Sequence, residues 1–132
     1  MEKDFDRWNQ EKKRIQRATF ADYVHAREVW WYSLGINVGS EQDGGRDNFE
    51  RPVLVLRKFN KDTVLIVPLT GSPKRTPYHV PVRHAGIDYA AVISQLRLVS
   101  TKRLTRLLYQ MDPAVYASVV RAVQAMVATE AA

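Results

Sequence analysis

The chain has 132 residues, of which 45% are hydrophobic and 10% aromatic, and it contains no cysteine. This size and composition are typical of a single folded domain and exclude a wholly disordered chain. The lack of cysteine excludes disulfides and thiolate metal sites and is consistent with a cytoplasmic protein. No apolar run approaches the roughly 18 residues of a membrane span, and the charged N-terminus lacks the apolar core of a secretory signal, so no membrane partner is expected.

Residues 1–26 are predicted to form an N-terminal helical extension. Apolar and long side chains recur there at spacings of three and four, as on one face of a helix: Phe5, Trp8, Lys12 and Ile15. The apolar stripe is thin. The helix is therefore expected to pack loosely on the body of the protein or on a partner.

From residue 27 onward the pattern changes to that of short β-strands, rich in β-branched and aromatic residues and separated by turn residues. The predicted strands are REVWWYSL (27–34), RPVLVLRKF (51–59), TVLIVPL (63–69), YHVPV (78–82), AAVI (90–93) and LRLVS (96–100). FNKD (59–62) predicts a hairpin turn, and Pro81 predicts an edge strand because proline donates no ladder hydrogen bond. Strands this short, without βαβ spacing, predict a small antiparallel barrel.

The C-terminal part is predicted to be helical. TKRLTRLLYQM (101–111) is interpreted as a brief helix or helical turn, and Asp112–Pro113 as the start of a longer helix. An apolar stripe at helical spacing follows, formed by Val115, Val119, Val123 and Met126. The predicted fold is therefore mainly β with helices (α+β), with the barrel domain spanning residues 27–132.

Positive charge is concentrated in the middle of the chain. The formal net charge is +6, but residues 51–106 carry eleven lysines and arginines against only Asp62 and Asp88. Neutralisation of phosphates by such cations releases counterions and supplies affinity for nucleic acid. A solvated basic surface that aids solubility is the alternative, and charge alone does not separate the two.

Metal and phosphate-loop chemistry have little support in the sequence. His79 and His84 are five residues apart, which places them on opposite faces of a strand, and no third ligand has a diagnostic spacing. A two-histidine acid–base ribonuclease stays open as an alternative. The glycine-containing segment GSEQDGGRDNFE (39–50) lies between two strands and does not open a helix, so it is not a P-loop. Neither a metal nor another cofactor is predicted.

Arg51 and Thr70 are the candidate reactive pair. The first begins the strand after the loop and the second ends the next strand, so a hairpin would bring them to the same end. A guanidinium beside a hydroxyl suits a phosphate whose negative charge grows in a transition state. From the residues alone, a surface arginine and a strand-end hydrogen bond are the simpler alternatives.

In order and spacing, several segments resemble the MazF/PemK toxins of bacterial type II toxin–antitoxin systems. They are EVWWYSL, GSEQ followed by RPVLVL, TVLIVPLT, HVPV and SQLRLVSTKRL, and the resemblance covers residues 27–127. It implies a small SH3-like (CcdB/PemK-like) barrel with a C-terminal helix, forming a homodimer. It also implies metal-independent cleavage of single-stranded RNA at short motifs, leaving 2′,3′-cyclic phosphate and 5′-hydroxyl ends. The implied partners are an acidic, partly disordered antitoxin and, only together with it, operator DNA.

The resemblance also implies roles for individual residues. Arg51 would stabilise the pentacoordinate phosphate, and Thr70 would hold the scissile phosphate or orient the attacking hydroxyl. The residues expected to contact RNA are Ser40, Glu41, Gln42, Arg46, Phe49, Arg57, Lys74, Arg75 and His79. Gln95 and Arg97 of the Q-x-R element are expected to be structural or interface residues.

The chain departs from the family pattern in two places. DGGRDNFE (43–50) lengthens the loop between GSEQ and RPVLVL, and Phe49 within it could stack a base or pack on the barrel. Ser94 stands where some relatives carry an acidic residue, so the general base is unassigned, with Glu41 and Glu50 as candidates by residue type only.

Two other functions fit the same fold, because fold does not determine function. One is a barrel that binds nucleic acid or regulates transcription without cutting it, and the other is a barrel toxin that poisons gyrase. The presence of both Arg51 and Thr70 favours RNA cleavage over either.

Overall fold

The computed structural model describes residues 23–33 and 50–129. Within these ranges the chain forms strands and one C-terminal α-helix: β1 Glu28–Ser33, β2 Glu50–Lys58, β3 Thr63–Thr70, β4 His79–His84, β5 Ile87–Val92, β6 Arg97–Ser100, β7 Leu104–Gln110 and α1 Pro113–Ala128. Single 3-10 turns cover Ile93–Gln95 and Thr101–Arg103. Most of the predicted N-terminal helix and of the lengthened loop lies outside the described residues.

The strands form one antiparallel sheet in the order β4-β5-β3-β2-β1-β7, and β6 pairs with β3. The sheet is not closed by hydrogen bonds, since β4 and β7 are its two ends. It is curled enough, however, for the rings of His84 on β4 and Tyr109 on β7 to stack, with centroids 3.5 Å apart and an interplanar angle of 6°. The predicted α+β class, an antiparallel sheet with a C-terminal helix, is confirmed.

Two hydrophobic clusters cover the two faces of the sheet. The first lies on the face packed by α1, which we call the helix face, and includes Val29, Leu54, Val67, Leu69, Val82, Met111 and Val119. The second lies on the opposite face, which we call the inner face, and includes Trp30, Tyr32, Val53, Val55, Ile66, Val99 and Leu104. Successive side chains of a strand point to opposite faces, so the unbroken apolar run of β2 supplies both clusters.

The predicted C-terminal helix is confirmed as α1. Asp112 caps it, because its Oδ2 accepts hydrogen bonds from the backbone N–H groups of Ala114 at 3.0 Å and Val115 at 3.4 Å. Pro113 occupies the first turn, where its missing N–H costs nothing. Val119 is fully buried, and the Tyr116 hydroxyl donates to the Leu56 carbonyl at 2.7 Å, which ties the helix to β2.

The helix predicted over residues 101–111 was wrong. After one 3-10 turn this segment becomes strand β7, which pairs with β1 through Trp30–Leu107 and Trp31–Arg106. The register shifts on both sides of that two-residue stretch, and such bulges break the strict alternation by which a strand is recognised in sequence. Leucine and arginine are good helix formers, but intrinsic propensity is a weak influence, and pairing with the edge of β1 overrides it.

Candidate functional site

Strand pairing sets Arg51 and Thr70 at the same end of the sheet. Arg51 lies opposite Tyr32 of β1, and Val53, two residues further along β2, lies opposite Pro68 of β3. The β2–β3 ladder ends at this pair, and Thr70 pairs with Ala90 of β5. Side chains two residues apart on a strand share a face, so Arg51 lies with Val53 and Thr70 with Pro68. Both side chains therefore belong to the inner face, at the end of the sheet where β1 and β3 finish.

Thr70 is held in a fixed turn at the end of β3. Its Oγ accepts a hydrogen bond from the Ser72 backbone N–H at 3.1 Å, which orients the hydroxyl. A hydroxyl has one proton to donate and two lone pairs, so this bond leaves the proton available for another acceptor. Thr70 and Arg51 are both half-buried, which gives them contact with solvent while their backbones stay inside the sheet.

A second arginine reaches the same region from β6. Arg97 lies opposite Ile66, so it also faces inward, and its Cζ is 5.9 Å from the centre of the Tyr32 ring. Tyr32, 4% exposed, is the cross-strand neighbour of Arg51. The sequence predicted Arg97 to be a structural or interface residue. It did not indicate that Arg97 lies beside Tyr32, the cross-strand neighbour of Arg51. Tyr32 was not singled out in the sequence, although its aromatic run precedes the loop that leads to Arg51.

Two further arginines flank this end of β1. Arg103 donates from a guanidinium nitrogen to the Ser33 carbonyl at 3.3 Å, and the Arg106 Cζ lies 5.5 Å from the centre of the Trp31 ring. Neither was singled out as a site residue. The only sequence signal was their membership of the basic middle segment, because the strand that carries them had been predicted as a helix.

The remaining predicted RNA contacts are spread over the surface. Arg57 is six residues from Arg51 along β2, about 20 Å away at the usual rise, and its guanidinium stacks on Phe59. Lys74 and Arg75 are exposed in the connection between β3 and β4. Gln95 is exposed in a 3-10 turn. The first-loop residues Ser40, Glu41, Gln42, Arg46 and Phe49 lie outside the described residues.

The two histidines do not form a pair. His79 shares its face with Pro81, whose partner Ala90 lies opposite Thr70, so His79 is on the inner face of the edge strand. Its Nδ1 is 2.7 Å from the Thr76 Oγ1. His84 lies on the helix face, where it stacks on Tyr109, as the five-residue spacing predicted. Within residues 23–33 and 50–129 no cluster of three or more His, Asp or Glu side chains could hold a metal ion.

Glu50 does not share a face with Arg51. It precedes Arg51 in β2 and therefore points to the opposite side of the sheet, where its Oε2 accepts a hydrogen bond from the Thr105 hydroxyl at 2.9 Å. This bond occupies one oxygen of the carboxylate. Of the two acidic residues considered as a general base, Glu50 is thus directed away from Thr70, and Glu41 lies outside the described part of the chain.

A cavity of about 290 Å³ opens on the helix face at the same end of the sheet, which we call the aromatic cavity. Its lining residues are Val29, Trp31, Pro52, Leu69, His84, Tyr89, Leu108 and Tyr109. The Trp31 Nε1 and the Tyr109 hydroxyl are shielded from water and have no hydrogen-bond partner among the described residues. Burial, with a smaller contribution from Tyr89, raises the pKa of Tyr109.

Removal of the Tyr109 hydroxyl and removal of the Tyr116 hydroxyl are therefore expected to affect the free energy of unfolding differently. Tyr109→Phe deletes a buried group without a partner and is expected to leave the free energy of unfolding unchanged or raise it slightly. Tyr116→Phe deletes the bond to the Leu56 carbonyl and is expected to lower that free energy by about 1 kcal/mol. Urea unfolding of the two variants beside the wild type measures both, and equal losses would contradict the assignment.

Comparison with known proteins places the chain in a family. Residues 25–127 match the family described as PemK-like, MazF-like toxin of type II toxin-antitoxin system. The chain belongs to this family of toxin–antitoxin toxins. A search of the curated proteins by sequence finds no match.

Solved structures share the fold at low sequence identity. MazF from Deinococcus radiodurans is 20% identical with a TM-score of 0.63, over 80% of this chain and 97% of that one. An endoribonuclease in complex with its cognate antitoxin, from a mycobacterial species, is 16% identical with a TM-score of 0.62, over 82% of this chain and 99% of that one. The toxin MazF-mt6 of Mycobacterium tuberculosis is 15% identical with a TM-score of 0.59, over 80% and 100%.

The family assignment agrees with the resemblance read from the sequence motifs. The described residues contain no helix long and apolar enough to cross a membrane.

Proposed function

We propose that this toxin is a metal-independent endoribonuclease that cleaves single-stranded mRNA at a short sequence motif and so inhibits translation. What supports the proposal is that Arg51 and Thr70 are half-buried on the same face of the neighbouring strands β2 and β3, at the same end of the sheet. Family membership supports it, since one fold neighbour is described as an endoribonuclease. A long flexible polymer can reach such a strand-end site.

The proposed reaction is an internal transesterification of RNA. The ribose 2′-oxygen attacks the adjacent phosphorus and passes its proton to a solvent water, and the bond from phosphorus to the 5′-oxygen of the next nucleotide breaks. The leaving 5′-oxygen takes a proton from water, which yields a 2′,3′-cyclic phosphate and a 5′-hydroxyl. Arg51 stabilises the added negative charge of the pentacoordinate phosphate, and Thr70 donates its free hydroxyl proton to a phosphate oxygen or orients the 2′-hydroxyl.

Surrounding cations provide the affinity for RNA. Arg97 and Arg103 lie near the end of β1 beside Arg51, and Lys74, Arg75 and His79 extend the basic surface along the β3–β4 side. We assign phosphate contacts to these residues and base contacts to the first loop through Ser40, Glu41, Gln42, Arg46 and Phe49. Arg57, at the far end of β2, would contact only a nucleotide remote from the cut.

We further propose a homodimer and a cognate antitoxin. Strand β7 ends the sheet, and its outer edge has no partner strand among the described residues, which favours pairing with a second copy. The fold neighbours include a MazE–MazF complex from Deinococcus radiodurans and the mycobacterial complex with its antitoxin. An acidic antitoxin segment would compete with RNA for the basic surface, and operator DNA would bind only to the toxin–antitoxin complex.

The test is incubation of the purified protein with a long single-stranded RNA in the presence of EDTA. We expect discrete fragments whose ends share one short motif. Intact RNA would contradict the proposal. Intact RNA that is nevertheless bound would favour the non-cleaving nucleic-acid binder, and inhibition of gyrase supercoiling without RNA cleavage would favour the gyrase poison.

A further inference from the structure

The aromatic cavity and the proposed cleavage site occupy the two faces of one strand end. Pro52 and Leu69 line the cavity, and they are the direct chain neighbours of Arg51 and Thr70. Alternation along β2 and β3 sends the first pair to the helix face and the second pair to the inner face. An RNA with a phosphate at Arg51 must therefore pass round the end of the sheet for a neighbouring nucleotide to enter the cavity.

The walls of the cavity are suited to a flat, uncharged ring. Four of its eight lining side chains are aromatic: Trp31, His84, Tyr89 and Tyr109. His84 and Tyr109 are already stacked on each other, so their planes are fixed. The volume of about 290 Å³ is at the lower end of the range for small-molecule sites. This size is sufficient for one base.

Two of the lining residues carry an unused hydrogen-bond donor that lies behind the cavity surface, shielded from water. The indole Nε1–H of Trp31 can only donate, and the Tyr109 hydroxyl can donate as well as accept; neither has a partner among residues 23–33 and 50–129. Native proteins pair nearly all buried polar groups, so an unpaired one needs an explanation, of which a ligand that is not yet bound is one. The adjacent Trp30 differs from Trp31 because its Nε1–H has a partner: it donates to the Glu28 Oε1 at 3.0 Å.

We propose that the aromatic cavity binds one unpaired base of the RNA and thereby sets part of the recognised sequence motif. The base stacks against the aromatic walls, and its ring nitrogens or carbonyl oxygens accept from Trp31 and Tyr109. In this structure both donors are shielded from water, so the base enters with a small shift of the wall side chains, as is common at interfaces. The identification of the ligand as RNA rests on the proposed function.

A base satisfies this cavity better than a side chain of a protein partner. An aliphatic or phenylalanine side chain would fill the space but would leave both donors unpaired, so it would gain no hydrogen bond from them. An aspartate or glutamate would bring a charge into an apolar cavity. A base combines a flat apolar surface with several acceptors on its edge.

The direct test is titration of the ¹⁵N-labelled protein with each of the four ribonucleosides, followed through the tryptophan indole N–H signals. The Trp31 signal, identified by its loss in Trp31→Phe, is expected to shift and saturate with at least one nucleoside. The Trp30 signal is the internal control and should not move, because its proton is already bonded to Glu28. An unresponsive Trp31, or equal shifts of both signals, would overturn the proposal.

A matched pair of variants extends the test to RNA. Tyr109→Phe is expected to weaken binding of the responsive nucleoside about fivefold, the effect of one lost hydrogen bond, and to change the distribution of cuts among RNA motifs. Tyr116→Phe removes a hydroxyl that is bonded to the Leu56 carbonyl and should change neither. Nucleoside binding with intact RNA would refute the endoribonuclease and leave the base site standing. RNA cleavage with unchanged motifs in Tyr109→Phe and a silent Trp31 signal would refute the base site alone.

Discussion

Replacing Arg51 with alanine is expected to slow RNA cleavage by at least about a hundredfold while leaving the protein folded. Arg51 is half-buried at a strand end, whereas the core beside it is formed by the buried apolar residues Val53 and Leu54. A guanidinium placed where negative charge develops is worth most in the transition state, and one such donor contributes roughly 3–4 kcal/mol. Single-turnover cleavage of a short RNA that contains the recognised motif measures the rate.

The control for Arg51→Ala is the same substitution of an arginine far from the proposed cleavage site. Arg121→Ala removes an exposed arginine from α1, on the other side of the sheet, and lowers the net charge by the same amount. It should leave the cleavage rate within about twofold of the wild type, because a rim charge acts mainly on association. If both variants lost activity equally, the effect would be one of overall charge. If Arg51→Ala cut as fast as the wild type, Arg51 would have no part in catalysis.

Replacing Thr70 with valine is expected to slow cleavage by about tenfold to a hundredfold. Valine keeps the branched shape and strand preference of threonine but has no hydroxyl to meet the phosphate. The substitution also removes the acceptor for the Ser72 N–H, which is exposed and can bond to water instead. The loss should therefore appear in the cleavage rate and hardly in the unfolding midpoint.

Thr70→Ser tests the contribution of the hydroxyl separately from that of the methyl group. Serine retains the group that accepts from Ser72 and donates to a phosphate, so it should recover most of the activity that valine loses. A purely structural role for Thr70 predicts a different result: Thr70→Val would then destabilise the protein, and its cleavage rate per folded molecule would equal that of the wild type. That outcome would remove Thr70 from the proposed mechanism.

The central hairpin could be predicted from the sequence because its information is local. Two apolar runs separated by FNKD define β2 and β3, and their pairing places Arg51 and Thr70 at one end. Asp112 and Pro113 similarly mark the start of α1, where cap and first-turn chemistry act within three residues. These elements depend on residues that are close in the chain, so composition and spacing are enough to predict them.

Strand β7 and the surroundings of Arg51 could not be predicted in the same way. Bulges opposite β1 hide the strand periodicity of residues 104–110. Arg97 meets Tyr32 only because the curled sheet brings β6 toward β1, and no spacing rule encodes that curvature. The stacking of His84 on Tyr109 across the two ends of the sheet has the same origin. The aromatic cavity, which both rings line, depends on the same curvature.

The chemistry of the RNA ends tests the central proposal most directly. RNA cut by the wild-type protein in EDTA would be analysed by mass spectrometry of the fragments on both sides of the break. Attack by the 2′-oxygen predicts a 2′,3′-cyclic phosphate on one fragment and a 5′-hydroxyl on the other, and a 2′-deoxy substitution at the cut should abolish cleavage. A 3′-hydroxyl beside a 5′-phosphate, or cleavage of the 2′-deoxy RNA, would contradict the mechanism assigned to Arg51 and Thr70.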